Sequence, residues 1–120
     1  MKSEQLNKII EKVVEGIYKD YPEILERFGE RGKQKCFEDN EHHFRHLETA
    51  LNMNNNQFFI DYALWLNNVL TSRGMKTEHL IDNFKRIDQV LLAETDFCNK
   101  ESYQSMLSEA IEELYNIELI

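Results

Sequence analysis

Apolar side chains fall at Leu6, Ile9, Ile10, Val13, Val14, Ile17 and Tyr18, the i, i+3, i+4, i+7 spacing that lines one face of an α-helix. The spacing predicts a first helix from Leu6 that stops before Pro22, because the residue preceding a proline is pushed out of the helical region. Pro22 itself suits a first helical turn and predicts a short helix carrying Ile24, Leu25 and Phe28, ended by Gly29. A second long helix is expected from Arg31 or Lys33 to about Leu51. The run Asn52 to Asn56 then reads as a polar, turn-rich break.

Phe58, Phe59, Tyr62, Trp65, Leu66, Val69 and Leu70 predict the core face of a third long helix, with Ile60 and Leu64 as a weaker second stripe and Gly74 as its left-handed terminator. Thr77 is a suitable N-cap for a fourth helix bearing Leu80, Ile81, Phe84, Ile87, Val90 and Leu91. A last helix carries Tyr103, Met106, Leu107, Ala110, Ile111 and Leu114. No stretch alternates with period two, and no repeat or linker interrupts the chain. The expectation is one all-α domain of five to six helices over residues 1–120.

Composition agrees: 42% of the residues are hydrophobic and 30% charged, with four glycines and one proline, so turns are few and elements long. The net charge of -8 argues against binding nucleic acid or an anionic membrane, which require a basic surface. The N-terminal stretch from Met1 runs into the amphipathic pattern without an apolar signal core. Nowhere do roughly 18 apolar residues follow one another, so a cytoplasmic protein is expected. Cys36 and Cys98 are too few and too far apart for a disulfide framework or a zinc site of their own.

Three of the four histidines stand together in Glu41-His42-His43-Phe44-Arg45-His46. At about 100° per residue, Cys36, Asn40, His43, Phe44, Leu47 and Leu51 share the apolar stripe of this helix, with Asp39 and His46 on its margin and His42 outside. A thiol, a carboxylate and an imidazole one turn apart suit a flat, partly apolar ligand with polar nitrogens. Spacing alone favours the plainer reading, a buried structural cysteine and a hydrogen-bonded core histidine. His42 and His46 at i, i+4, with Asp39 or Glu38 one turn back, form a partial metal set, but two ligands do not make a site. A di-iron bundle lacks its second Glu-x-x-His motif, and no context singles out His43 or His79 as a haem ligand. There is no phosphate loop or nucleophile elbow, so an enzyme is not expected. Trp65 and Tyr62 lie at core spacing.

The segment from Gly32 to Arg45 resembles the chromophore helix of phycobiliproteins, where the pattern is Lys-Cys-x-Arg-Asp, two residues, an aromatic pair, an aliphatic residue and arginine. Lys35, Cys36, Asp39 and Arg45 match, His42-His43 replace the aromatic pair and Phe44 the aliphatic residue. Upstream, Val14 to Pro22 is similar to the end of the family's preceding helix, and Ala50-Leu51, Asp61-Tyr62 and Phe84-Lys85-Arg86-Ile87 fall in register. The resemblance implies a globin-like fold and a linear tetrapyrrole (bilin) cofactor. It implies Cys36 as thioether attachment point, Asp39 as counter-ion of the pyrrole nitrogens, Lys35 as a propionate partner, and His42 and His43 as ring neighbours. A carboxylate at the core margin would pair with a protonated bilin.

Two departures shape the expectation. Glu38 stands where the family has an arginine near a propionate, and the family's N-terminal helical hairpin has no counterpart, because Leu6 already begins the first globin-like helix. The chain thus looks like the compact phycobiliprotein-related globins found with bilin-biosynthesis enzymes. It is also similar to helical domains that accompany cobalamin-binding modules, although it lacks their Asp-x-His-x-x-Gly motif. Partners expected on this footing are a bilin, bilin-biosynthesis enzymes or a second copy of the chain. The alternative is a ligand-free globin-like sensory or protein-interaction module.

Overall fold

The computed structural model describes residues 3–118; Met1 and Lys2, part of the stretch expected to lack a signal core, lie outside the described residues. Five helices follow one another, with no strand among the described residues: α1 (Ser3–Asp20), α2 (Pro22–Asn52), α3 (Asn56–Ser72), α4 (Thr77–Ala93) and α5 (Lys100–Glu118). The predicted stripe of α1 is its buried face, with Ile9, Ile10, Val13 and Val14 removed from solvent and packed toward α2 and α4. Tyr21 leaves helical geometry at φ -128, ψ 64, and Pro22 opens α2. No helix is long and apolar enough to cross a membrane among the described residues.

Gly29 breaks α2 at φ 69, ψ -167, a conformation that an L side chain resists. The expected short helix and the long one after it are therefore two arms of a single kinked element. α2 and α3 both end in paired capping turns. Asn54 at φ 51 allows Asn55 N–H to reach Ala50 O at 2.9 Å, and Gly74 at φ 92 allows Met75 N–H to reach Leu70 O at 3.1 Å, which satisfies carbonyls left over at the helix ends.

Three expectations are corrected. The polar break is shorter than Asn52 to Asn56, because Asn52 completes α2 and Asn56 starts α3. There the side chain of Asn55 accepts the Gln57 N–H at 3.1 Å and caps the new helix. Thr77 is the first residue of α4 and not its cap. The cap is Lys76, whose N–H donates to His79 Nδ1 at 3.0 Å, so the fourth histidine seals a helix end. Finally, the buried arc of α3 is Phe59, Ile60, Ala63 and Asn67, whereas Trp65 is 60% exposed. This helix is apolar around more of its circumference than one core face uses. Packing against both α2 and α5 decides which arc turns inward.

The core closes with α5, whose Tyr103, Met106, Leu107, Ala110 and Leu114 are buried. Phe97, in the α4–α5 turn, folds back so that its ring lies 5.7 Å from Tyr103 and 6.2 Å from Phe44. A second fastening lies at the end of α1. Arg86 of α4 donates through Nη2 to Asp20 at 2.8 Å and through Nε to Asp82 at 2.7 Å. Its guanidinium also sits 5.8 Å from the Tyr21 ring centroid, so one cation holds the α1–α2 corner against α4.

Candidate functional site

The helical wheel of α2 orders its side chains as the spacing predicts. Asn40, His43, Phe44 and Leu47 are buried, Cys36, Asp39, His46 and Leu51 are half-buried, and His42 is exposed. Polar groups on the buried side find partners across the core. Asn40 Nδ2 donates to Cys36 O at 3.0 Å and to Asn83 Oδ1 at 3.2 Å, while Asn83 Nδ2 returns a bond to Asn40 Oδ1 at 2.7 Å. His43 Nδ1 lies 2.8 Å from the Tyr62 hydroxyl, and the ring meets Phe84 edge-on at 5.2 Å. Burial, with His46 and His42 adding to it, lowers the His43 pKa to about 3, so the imidazole is neutral. Burial first and the Asp39 carboxylate second raise the Tyr62 phenol above its ordinary value.

Of the residues that the resemblance singles out, Lys35, Cys36 and Asp39 come together on one turn. Lys35 Nζ pairs with Asp39 Oδ1 at 3.3 Å, and the Cys36 thiol lies beside that carboxylate. Burial and then the negative charge of Asp39 push the thiol pKa up to about 11. At neutral pH the thiolate, the nucleophilic form, is therefore only on the order of one part in 10⁴. A shallow recess lined by Arg31, Gln34, Lys35 and Glu38 opens on the same helix.

His42 and His43 part company. His43 is 2% exposed and would have to leave Tyr62 to touch a ligand, whereas His42 faces outward with Arg45 Nη1 3.4 Å from its Nδ1. His46 turns its Nδ1 toward the His42 carbonyl at 2.8 Å and lays its ring on Tyr62. The His42/His46 pair weighed for a metal thus has a protein neighbour at each Nδ1, and among the described residues no three His, Cys, Asp or Glu side chains group as a metal site.

The feature that periodicity did not pick out is an aromatic row between α2 and α3. His46 stacks on Tyr62 with centroids 3.7 Å apart and planes 12° from parallel, Phe58 lies 5.9 Å from His46, and Trp65 lies 6.3 Å from Tyr62. The row begins at the core margin and ends at Trp65 in solvent. Its signal in the sequence was the surplus of apolar positions on α3. Such a row offers π faces and apolar edges to a partner.

Comparisons with family models, with curated proteins and with solved structures found no match for this chain.

Proposed function

We propose that the chain is a non-enzymatic, globin-like interaction module of the cytoplasm whose working surface is the outer flank of α3. The supporting observation is Trp65, 60% exposed at the end of the His46–Tyr62 stack while the core beneath is closed by His43, Tyr62 and Phe84. A large aromatic side chain held in water by a packed neighbour is what a binding anchor requires. A photo-crosslinking amino acid placed at Asn68, on the same flank, should give a protein adduct in living cells that the same group at Lys19 of α1 does not. Absence of adducts at Asn68, or equal labelling at both positions, overturns the reading.

The Lys35–Asp39 pair beside Cys36 favours a second reading, a module that binds or handles a bilin. Asp39 would balance the pyrrole cation, Lys35 would meet a propionate at the recess it shares with Arg31, and Cys36 would be the attachment point. His42 would flank a ring at the surface, with His43 supporting the site through Tyr62. Because the Cys36 thiol is held protonated, a thioether here calls for assistance in its formation, and a bilin-biosynthesis enzyme is the expected partner. Coexpression with a haem oxygenase and a bilin reductase should yield a coloured protein of increased mass. A colourless product across several bilins ends this reading.

A further inference from the structure

We infer that the outer ridge of α3 pairs antiparallel with the same ridge of a second copy of the chain; this rests on the interaction-module reading and names its partner. The ridge consists of Asp61, Trp65 and Val69 of α3, continued by Arg73, the residue that caps its C-terminus, four positions spaced four residues apart. Such an i±4 row is the one that interlocks in the commonest class of helix packing. Asp61 and Arg73 are exposed, Trp65 is largely so and Val69 is half-buried. Among the described residues neither Asp61 nor Arg73 belongs to an ion pair.

The order of side chains along the ridge argues for the occupant. It runs acid, aromatic, aliphatic, base, which is complementary to its own reverse. A two-fold axis level with Asn67, midway between Asp61 and Arg73, sets Asp61 against Arg73 of the second copy and Trp65 against its Val69, and does so twice. Those two ion pairs lie about 18 Å from each other along the helix and enclose the apolar contacts between them. α3 itself carries a single charged residue, Asp61, fewer than any other helix, so two copies of a chain with net charge -8 meet through the element with the fewest charges to oppose one another. Outward of the axis, the antiparallel arrangement also opposes the two helix dipoles. One helix flank is a small interface and belongs to the weak, transient class.

Trp65 is the only tryptophan, so its emission reports on this ridge alone. Sedimentation of the full chain at rising concentration should show a monomer–dimer equilibrium, with Trp65 emission shifting to the blue in parallel. Asp61→Arg should weaken association about tenfold by setting like charges opposite each other. Adding Arg73→Asp to it should restore the wild-type affinity to within about threefold, and Trp65→Ser should abolish association with unchanged helicity. A monomer up to about 1 mM overturns self-pairing, and so does a dimer indifferent to Trp65→Ser or one that the double charge swap fails to restore. The Asn68 crosslink separates the two levels. An adduct of twice the chain mass supports the second copy, whereas an adduct of another mass keeps the interaction module and removes self-pairing.

Discussion

His43 and Tyr62 face each other inside the α2–α3 contact, with Nδ1 2.8 Å from the phenolic oxygen, and the bond fixes the imidazole as a neutral core group. Its pKa is lowered to about 3 by burial and by His46 and His42, whereas an unfolded chain leaves a histidine near 6.5. Below about 6.5 the unfolded state therefore takes up a proton that the folded state refuses. The stability that His43 contributes is complete above that pH and is lost progressively as pH falls toward about 3.

Urea unfolding at pH 7.5, 6 and 5 should accordingly show stability dropping by about 1.4 kcal/mol per pH unit once below about 6.5. His43→Gln should lower the starting stability and flatten this slope. A slope that survives the substitution assigns the effect to other groups. Tyr62→Phe should cost about 1–3 kcal/mol, because it strands the buried imidazole nitrogen without its partner.

Arg86 supplies a second energetic test. Its side chain is 17% exposed and reaches both Asp82, 33% exposed, and Asp20, 57% exposed. Arg86→Ala should cost about 2 kcal/mol by thermal or urea unfolding, since it leaves the α1–α2 corner and the half-buried Asp82 without their cation. Asp20→Asn should cost under about 1 kcal/mol, as water replaces most of what an exposed pair provides. Equal losses for the two variants would show that the corner is not held by Arg86 in this way.

Gly29 gives a backbone counterpart. At φ 69, ψ -167 an alanine pays for strain, although its Cβ would meet nothing within 4 Å. Gly29→Ala should cost about 1–3 kcal/mol, whereas Gly74→Ala, at φ 92 in a helix-terminating turn, should cost about 1 kcal/mol. If Gly29→Ala is neutral, the two arms of α2 straighten without penalty and the kink is not a fixed property of the chain.

These particulars mark where local sequence carried the fold. The α1 stripe, the Gly29 break and the order of burial along α2 from Cys36 to Leu51 follow from 3.6-residue periodicity and backbone sterics, both local. Trp65 did not, because α3 has two apolar arcs and only the positions of α2 and α5 choose between them. Thr77 was displaced as a cap by Lys76, whose N–H is held by the His79 side chain three residues along, a reach that depends on one rotamer. At the candidate site, the clustering of Lys35, Cys36 and Asp39 was legible because they lie on one turn. The His43–Tyr62 and Asn40–Asn83 bonds were not, since each joins residues on different helices and no periodicity encodes them.

Cys36 lies at the point where the structural and ligand-binding readings separate. As a packing group it is a small, half-buried thiol whose Cys36→Ala variant should lose about 1–2 kcal/mol and keep its fold. As a thiol with its pKa near 11 it should resist iodoacetamide at pH 7.5, while the exposed Cys98 is modified first, a difference read by mass spectrometry of the intact chain. In protein produced with a bilin, a thioether at Cys36 would keep pigment attached in acidic denaturant. Cys36→Ala should then release it, Asp39→Asn should retain it with a weakened long-wavelength band, and Cys98→Ser should change nothing. Pigment that washes out of the unmutated protein leaves only noncovalent binding. Rapid alkylation of Cys36 would mean that the thiol is neither as buried nor as strongly held protonated as its place beside Asp39 requires.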